Sequence, residues 1–383
     1  RNVDSVMIKR LIFGLALAVL ACGPLGNPFL ATQIENISAR QPAERPPHPA
    51  PTQTHTPVIP TQTPTQTPAT RILFTGDINP GRCIAQMMIE ADDFTLPYQR
   101  IAGDLRAADI TVGSLDGAIT DRADPADCPE TMSLNGPSRV VEGLQFAGFD
   151  VITVATNHAK NCGIVACWDD ALLDSIANLS AAGILPVGGG ATLAEARALV
   201  IVEHNGVRFA FLGATTVGAE MWATETEPGT NPLISRNVIA DIEAARRQAD
   251  VVIVLAQWGS EYTSNPNWDQ FYLAEDMMNA GATLVIGNQA HWVQAVEVFP
   301  NGVVAYGLGN FVFDQGWSTE TQQGVVFEAI FNGRTLESWQ LLPIYIDQET
   351  YQPQWADTEE AAEILDRIDE ASRQPPLTLR EEP

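Results

Sequence analysis

The chain has 383 residues, 45% of them hydrophobic and 18% charged, which is enough apolar material for one large folded domain. Its formal net charge of -26 makes a surface that repels phosphate backbones and anionic lipid headgroups, which argues against nucleic-acid binding. An anionic polymer could approach it only with the help of metal ions or local arginines.

The first segment, residues 1–22, reads as an export signal. Met7-Ile8-Lys9-Arg10 is a basic n-region, and the uncharged run Leu11 to Ala21 is too short to span a ~30 Å hydrocarbon core. The run ends at Val19-Leu20-Ala21-Cys22-Gly23, where small residues before a cysteine resemble a lipoprotein signal. Cys22 would then be lipidated and become the mature N-terminus; cleavage by an ordinary signal peptidase is the alternative. Residues 23–70 form a linker, Pro-, Thr- and Gln-rich from about Gln41, with almost no large apolar side chain. Such a segment cannot bury a core, and at ~3.1 Å per residue it reaches several tens of Å. The expectation is a domain held at the cell surface by a membrane anchor.

Patterned sequence starts at Arg71. Short apolar runs suited to buried strands lie at Ile72 to Gly76, Asp109 to Ser114, Val151 to Ala155, Ile184 to Val187, Val251 to Ala256 and Thr283 to Ile286. Helical periodicity falls between them, at Ser138 to Phe146, Trp168 to Ala182, Val238 to Arg247 and Trp268 to Ala280. This alternation predicts an α/β fold with largely parallel sheet, covered by helices. Asn205-Gly206, Asn301-Gly302 and Asn332-Gly333 each sit between β-rich runs and predict hairpins, so the sheets are mixed and a second sheet packs on the first. The folded domain is expected over 71–350, with a charged helix and tail over 351–383. Four cysteines remain in an exported chain: the spacing of Cys162 and Cys167 suits a local disulfide, which leaves Cys83 with Cys128.

In open α/β sheets, polar sites form in the loops beyond the carboxyl ends of the strands. Here those loops carry Asp77, Asp116, Asn157-His158, Gln257 to Glu261, and Gly287 to His291. Each is unspecific alone; five converging on one crevice are not. No G-x-S-x-G elbow is present, and Gly188-Gly189-Gly190 lacks the Lys-Ser/Thr of a phosphate loop. Metal-assisted hydrolysis through hard oxygen and imidazole ligands is what such residues suit.

The order of these motifs resembles the CapA family of poly-γ-glutamate capsule biosynthesis proteins, whose domain is similar to the calcineurin-type metallophosphoesterases. The resemblance rests on Gly76-Asp77, Ser114-Leu115-Asp116, Thr156-Asn157-His158-Ala159-Lys160-Asn161-Cys162-Gly163, Gln257-Trp258-Gly259-Ser260-Glu261, Gly287-Asn288-Gln289-Ala290-His291 and Gly309-Asn310-Phe311, and runs from about Arg71 to Asp347. Three family histidines are replaced, by Gln257, Asn288 and Gln289, and a family aspartate by Asn161. The resemblance implies a divalent cation held by Asp77, Asp116, Asn157, Gln257 and His291, with His158 as general acid and Glu261 as base. Amide oxygens favour magnesium, manganese or calcium over zinc. It implies a surface hydrolase acting in polyglutamate or related envelope-polymer metabolism, or a non-catalytic accessory protein that binds the polymer. The expected partners are an anionic extracellular polymer or membrane proteins of capsule synthesis. A solute-binding lipoprotein is a third reading, supported by the tether and the α/β pattern alone.

Overall fold

The structure, a computed structural model, describes residues 68–125, 128, 133–162 and 167–374. The expected export signal with Cys22, and the linker up to residue 67, lie outside the described residues. Among the described residues no helix is long and apolar enough to cross a membrane.

The first half is a βαβ series. Strands β1 (Thr70–Ile78), β2 (Ile110–Leu115), β3 (Val151–Thr153) and β4 (Leu185–Val187) lie side by side and parallel. Helices α1 (Arg82–Ala91), α2 (Val140–Ala147) and α3 (Asp169–Ala181) lie between them in the chain. A hairpin follows, β5 (Val200–His204) and β6 (Val207–Thr215), turned by Asn205 and Gly206 at φ 51° and 75°. Two successive left-handed residues are what a tight hairpin needs, hence Asn-Gly.

A second parallel series packs beside β6: α4 (Ser235–Ala245), β7 (Val251–Gln257), α5 (Trp268–Ala280) and β8 (Leu284–Asn288). Helix α5 is started by a capping box between Asn267 and Gln270 and stopped by left-handed Gly281. Strands β9 (Val296–Phe299) and β10 (Gly302–Ala305) form the second Asn-Gly hairpin. The short β11 (Asn310–Val312) returns to pair with the end of β1. The third hairpin, β12 (Gln323–Asn332) with β13 (Thr335–Asp347), then β14 (Gln352–Trp355), extends the first sheet beyond β1. Helix α6 (Thr358–Arg373) closes the described chain.

The two large sheets are mixed, ordered β14-β13-β12-β1-β2-β3-β4 with β11 alongside, and β9-β10-β8-β7-β6-β5, and two short two-stranded ladders accompany them. Their central strands are apolar on both faces, and alternate side chains go to different cores. Ile72 and Phe74 of β1 join Phe209 and Phe211 of β6, Val251, Ile253 and Leu255 of β7, and Ile286 of β8 in one cluster between the sheets. Leu73 and Ile78 instead face the helices of the first half, while Ala210, Leu212, Val252 and Val254 face α4 and α5. The order of layers is therefore helix, sheet, sheet, helix. Edge-on aromatic pairs such as Phe209–Phe331, with centroids 5.3 Å apart, join the sheets, and each buried Phe contributes roughly 1.5–3 kcal/mol. Beyond residue 350, β14 adds an edge strand, and Ile364 and Ile368 of α6 enter the inter-sheet core. Disulfides Cys83–Cys128 and Cys162–Cys167 have Cα separations of 4.7 and 5.8 Å.

Candidate functional site

Strand register sets the site. At the carboxyl ends of the first sheet, Asp77 of β1 stands opposite Ser114 of β2 and Asn310 of β11. In the second sheet Gln257 of β7 stands opposite Thr215 of β6 and Asn288 of β8. The two polar rows meet: Gln289, just past β8, donates its backbone N–H to Asp77 Oδ2 at 3.2 Å. Glycines permit this approach. A Cβ on Gly76 would come within 2.0 Å of the Gly309 carbonyl oxygen, to which Asp77 N–H donates, and one on Gly287 within 2.0 Å of the Tyr306 carbonyl oxygen.

At the centre are acceptors short of donors. Asp77 Oδ1, both carboxylate oxygens of Asp116, Asn288 Oδ1 and Gln289 Oε1 are buried without a well-formed hydrogen bond, the hydroxyls of Ser114 and Thr156 lying near enough only to offset part of the burial of the two carboxylates. Burial first, and the neighbouring Asp116 carboxylate second, push the Asp77 carboxyl well above the usual range. Asp116 is pushed up to about 7, by burial and then by the Glu261 charge. Buried acceptors without donors are costly unless something positive meets them.

The imidazoles are oriented by amides. Asn161 Oδ1 accepts the Leu134 backbone N–H at 2.9 Å, so the atom is an oxygen, and the hydrogen it shares with His158 Nδ1 at 2.8 Å belongs to the histidine. Asn310 donates through Nδ2 to the Thr321 carbonyl, which turns its Oδ1 toward His291 Nδ1 at 2.9 Å. His291 therefore carries its hydrogen on Nδ1 and a lone pair on Nε2, while His158 donates from Nδ1 to Asn161. His291 Nδ1 is 3.9 Å from Asp77 Oδ2, and burial drives its pKa down to about 4, helped by the charges of His158 and Arg82. At neutral pH His291 is an uncharged base, the form in which imidazole binds metals.

Asn157 and Gln257 are joined to each other. Gln257 Nε2 donates to Asn157 Oδ1 at 2.7 Å, while Gln257 Oε1 accepts from Asn157 N–H at 3.0 Å and Thr215 Oγ1 at 2.6 Å. With two bonds accepted, the Gln257 oxygen has no lone pair left for a cation, so its part is to hold Asn157. Glu261 is exposed at the rim and accepts from Gln289 Nε2 at 3.2 Å.

Several residues here escape a motif-based reading. Arg82 is buried in an ion pair with Asp314, which also accepts from Asn79, and the Arg82 charge reaches Asp116 and His291. Asn310, in the Gly309-Asn310-Phe311 turn, orients His291. Backbone strain marks the same place. Eight described non-glycine residues have positive φ, and four of them are Arg82, Tyr262, Gln289 and His291. Such conformations persist where surrounding structure enforces them, often at functional sites.

Among the described residues no group of three or more His, Cys, Asp or Glu side chains gathers closely enough to hold a metal ion. A cation shell here must include amide oxygens. Two carboxylates and two amide oxygens, all buried and without donors, fit a hard, oxygen-seeking divalent cation and do not fit a zinc site of thiolates and imidazoles.

A profile described as Bacterial capsule synthesis protein PGA_cap matches residues 71–315, a span that holds all of these site residues. The chain belongs to this family. Its relatives include the PGA biosynthesis protein CapA of Bacillus subtilis, 29% identical over 282 residues that cover 73% of this chain and 72% of that protein. The Capsule biosynthesis protein CapA of Bacillus anthracis is 28% identical over 286 residues, covering 73% and 68%. Among solved structures, a putative 5'-nucleotidase from Staphylococcus aureus is similar at 15% identity, covering 79% of this chain and 58% of that chain, with a TM-score of 0.44. The PGA_cap match ends at residue 315, so β12, β13, β14 and α6 lie outside the matched span.

Proposed function

We propose that this PGA_cap chain is an exported, envelope-anchored protein of capsule or poly-γ-glutamate biosynthesis, and that its strand-end site uses a divalent cation to hydrolyse an anionic γ-glutamyl polymer. The family match supports the pathway. The observation that carries the chemistry is the set of buried, donor-less oxygens on Asp77, Asp116, Asn288 and Gln289. Those side chains would hold the cation, with His291 through Nε2 and Asn157 through its remaining lone pair. A hard cation, when bound, neutralises the carboxylates and polarises a carbonyl oxygen.

Hydrolysis of a γ-glutamyl amide adds the hydroxyl of water to the acyl carbon, breaks the C–N bond and adds a hydrogen to the departing amine. Glu261, at the rim, would take the proton from water. His158 would deliver one to the amine from Nε2, its Nδ1 hydrogen being held by Asn161. Because Asn161 is an amide where the family carries a carboxylate, it orients the ring without stabilising the imidazolium.

The test is cleavage of a γ-glutamyl polymer by the purified full chain with Mn2+ or Mg2+. The expected result is turnover that a chelator stops and that Asp77→Asn abolishes while the circular dichroism stays unchanged. Absence of turnover with cation bound would overturn the hydrolase reading. A second reading, a polymer-binding accessory protein working with membrane proteins of capsule synthesis, is favoured by the closed Asn157–Gln257 pair and the small number of charged ligands. It predicts cation-dependent binding of the polymer without cleavage.

A further inference from the structure

Outward from Asp77, aromatic contacts lead to solvent. His291 packs edge-on against Phe313 at 4.9 Å and nearly parallel to Tyr262 at 5.9 Å; Tyr262 in turn meets Trp317 edge-on at 5.9 Å. Phe313 is fully buried, whereas Tyr262 is 39% and Trp317 50% exposed. Neither exposed ring sits on a loose segment. Tyr262 holds φ 58°, a strained value for a bulky residue, and its N–H donates to the Ala290 carbonyl. Trp317 lies in the β11–β12 loop, pinned by Asp314 on Arg82 and Asn79 and by Gln315 on Asn310. Two rings are thus kept half in water at the mouth of the site, by loops that also carry or orient its buried groups.

We infer that Tyr262 and Trp317 form a subsite that receives the planar amide and methylene faces of a γ-glutamyl chain next to the bond held at Asp77 and Asp116. This rests on the reading of the site as one for a γ-glutamyl polymer. The charge balance selects the mode of contact. The net charge is -26, Glu261 stands on the rim, and Arg82, a buried cation of the site, is turned inward onto Asp314 and away from a polyanion at the mouth. Rigid aromatic rings can hold the uncharged faces of the chain while its carboxylates stay in water.

The test titrates a fluorescent γ-glutamyl decamer into the full chain with Mn2+, for the wild type, Trp317→Ala and Trp317→Phe. Trp317→Ala is expected to weaken decamer binding roughly two- to tenfold, with Trp317→Phe recovering most of it and Mn2+ affinity equal in all three. Equal decamer affinity in the wild type and Trp317→Ala would overturn the subsite and leave the proposed function standing. Failure of the wild type to bind the decamer would overturn both. A neutral oligosaccharide that binds more tightly than the decamer, with the same dependence on Trp317, would overturn the assigned ligand class.

Discussion

Phe74 and Asp77 lie three residues apart on β1, and both are almost completely buried. Phe74 meets its cross-strand neighbour Phe327 within an apolar layer, whereas Asp77, with one oxygen on the Gln289 N–H, ends among buried oxygens that lack hydrogen-bond partners. The same change happens along β7 from Leu255 to Gln257 and along β8 from Ile286 to Asn288. The inter-sheet core is at rest: every group there gains from burial. Three residues further on, burial costs free energy, and four residues at positive φ add strain. A fold of this size could satisfy those oxygens with one well-aimed lysine, and the domain's single lysine, Lys160, instead donates to the Pro228 carbonyl and pairs with Asp169. The contrast marks the strand ends as a place kept for something that binds.

The largest effect should come from the core side. Phe327→Ala removes a ring stacked on Trp339 and edge-on to Phe74, and is expected to cost about 3–5 kcal/mol in urea unfolding without altering cation affinity per folded molecule. At the strand ends the expectation reverses. Asp116→Asn takes away a buried, donor-less carboxylate, so the cation-free protein should melt no lower than wild type, while Mn2+ affinity falls about a hundredfold or more. If that variant instead melts well below wild type, the contrast between the regions breaks.

Acidity sharpens the same comparison. With its pKa raised to about 7, the cation-free Asp116 carboxyl is protonated below that pH, and the carboxyl of Asp77 is raised as well. A cation must displace those protons, so affinity should fall about tenfold or more per pH unit below 7. Calorimetric titrations between pH 5.5 and 8 would read this, and a flat profile would contradict it. The smallest effect is expected at Asn310→Ala, which removes the acceptor for His291 Nδ1–H; it should lower stability by about 1 kcal/mol and weaken Mn2+ binding only modestly.

Much of the fold is legible because its strands are apolar on both faces and its turns carry their own chemistry. The runs at Val251 and Thr283 match β7 and β8 within one or two residues, and all three Asn-Gly pairs turn hairpins. Helix α1 is absent from the sequence reading because its start, Gly81-Arg82, has no side-chain cap. The packing of β14 and α6 into the main domain is equally hidden, since Gln352 to Trp355 is polar and the charged face of α6 masks Ile364 and Ile368. At the site, Asp77, Asp116, His158 and His291 follow from their positions after strands. Gln257 is different. A residue type at a strand end says nothing of where its oxygen points, and only the Asn157 and Thr215 bonds reveal that it is spent. Arg82 and Asp314 are 232 residues apart, and no local pattern joins them.

The central claim, that the unpaired oxygens beyond the strand ends are a cation site, is tested most directly by calorimetric titration of Mn2+ into chelator-stripped full chain at pH 8. The wild type should bind stoichiometrically, and the double variant Asp77→Asn, Asp116→Asn, folded by circular dichroism, should bind none. Wild-type protein that takes up no Mn2+, Mg2+ or Ca2+, or a double variant that binds as tightly as wild type, would contradict it.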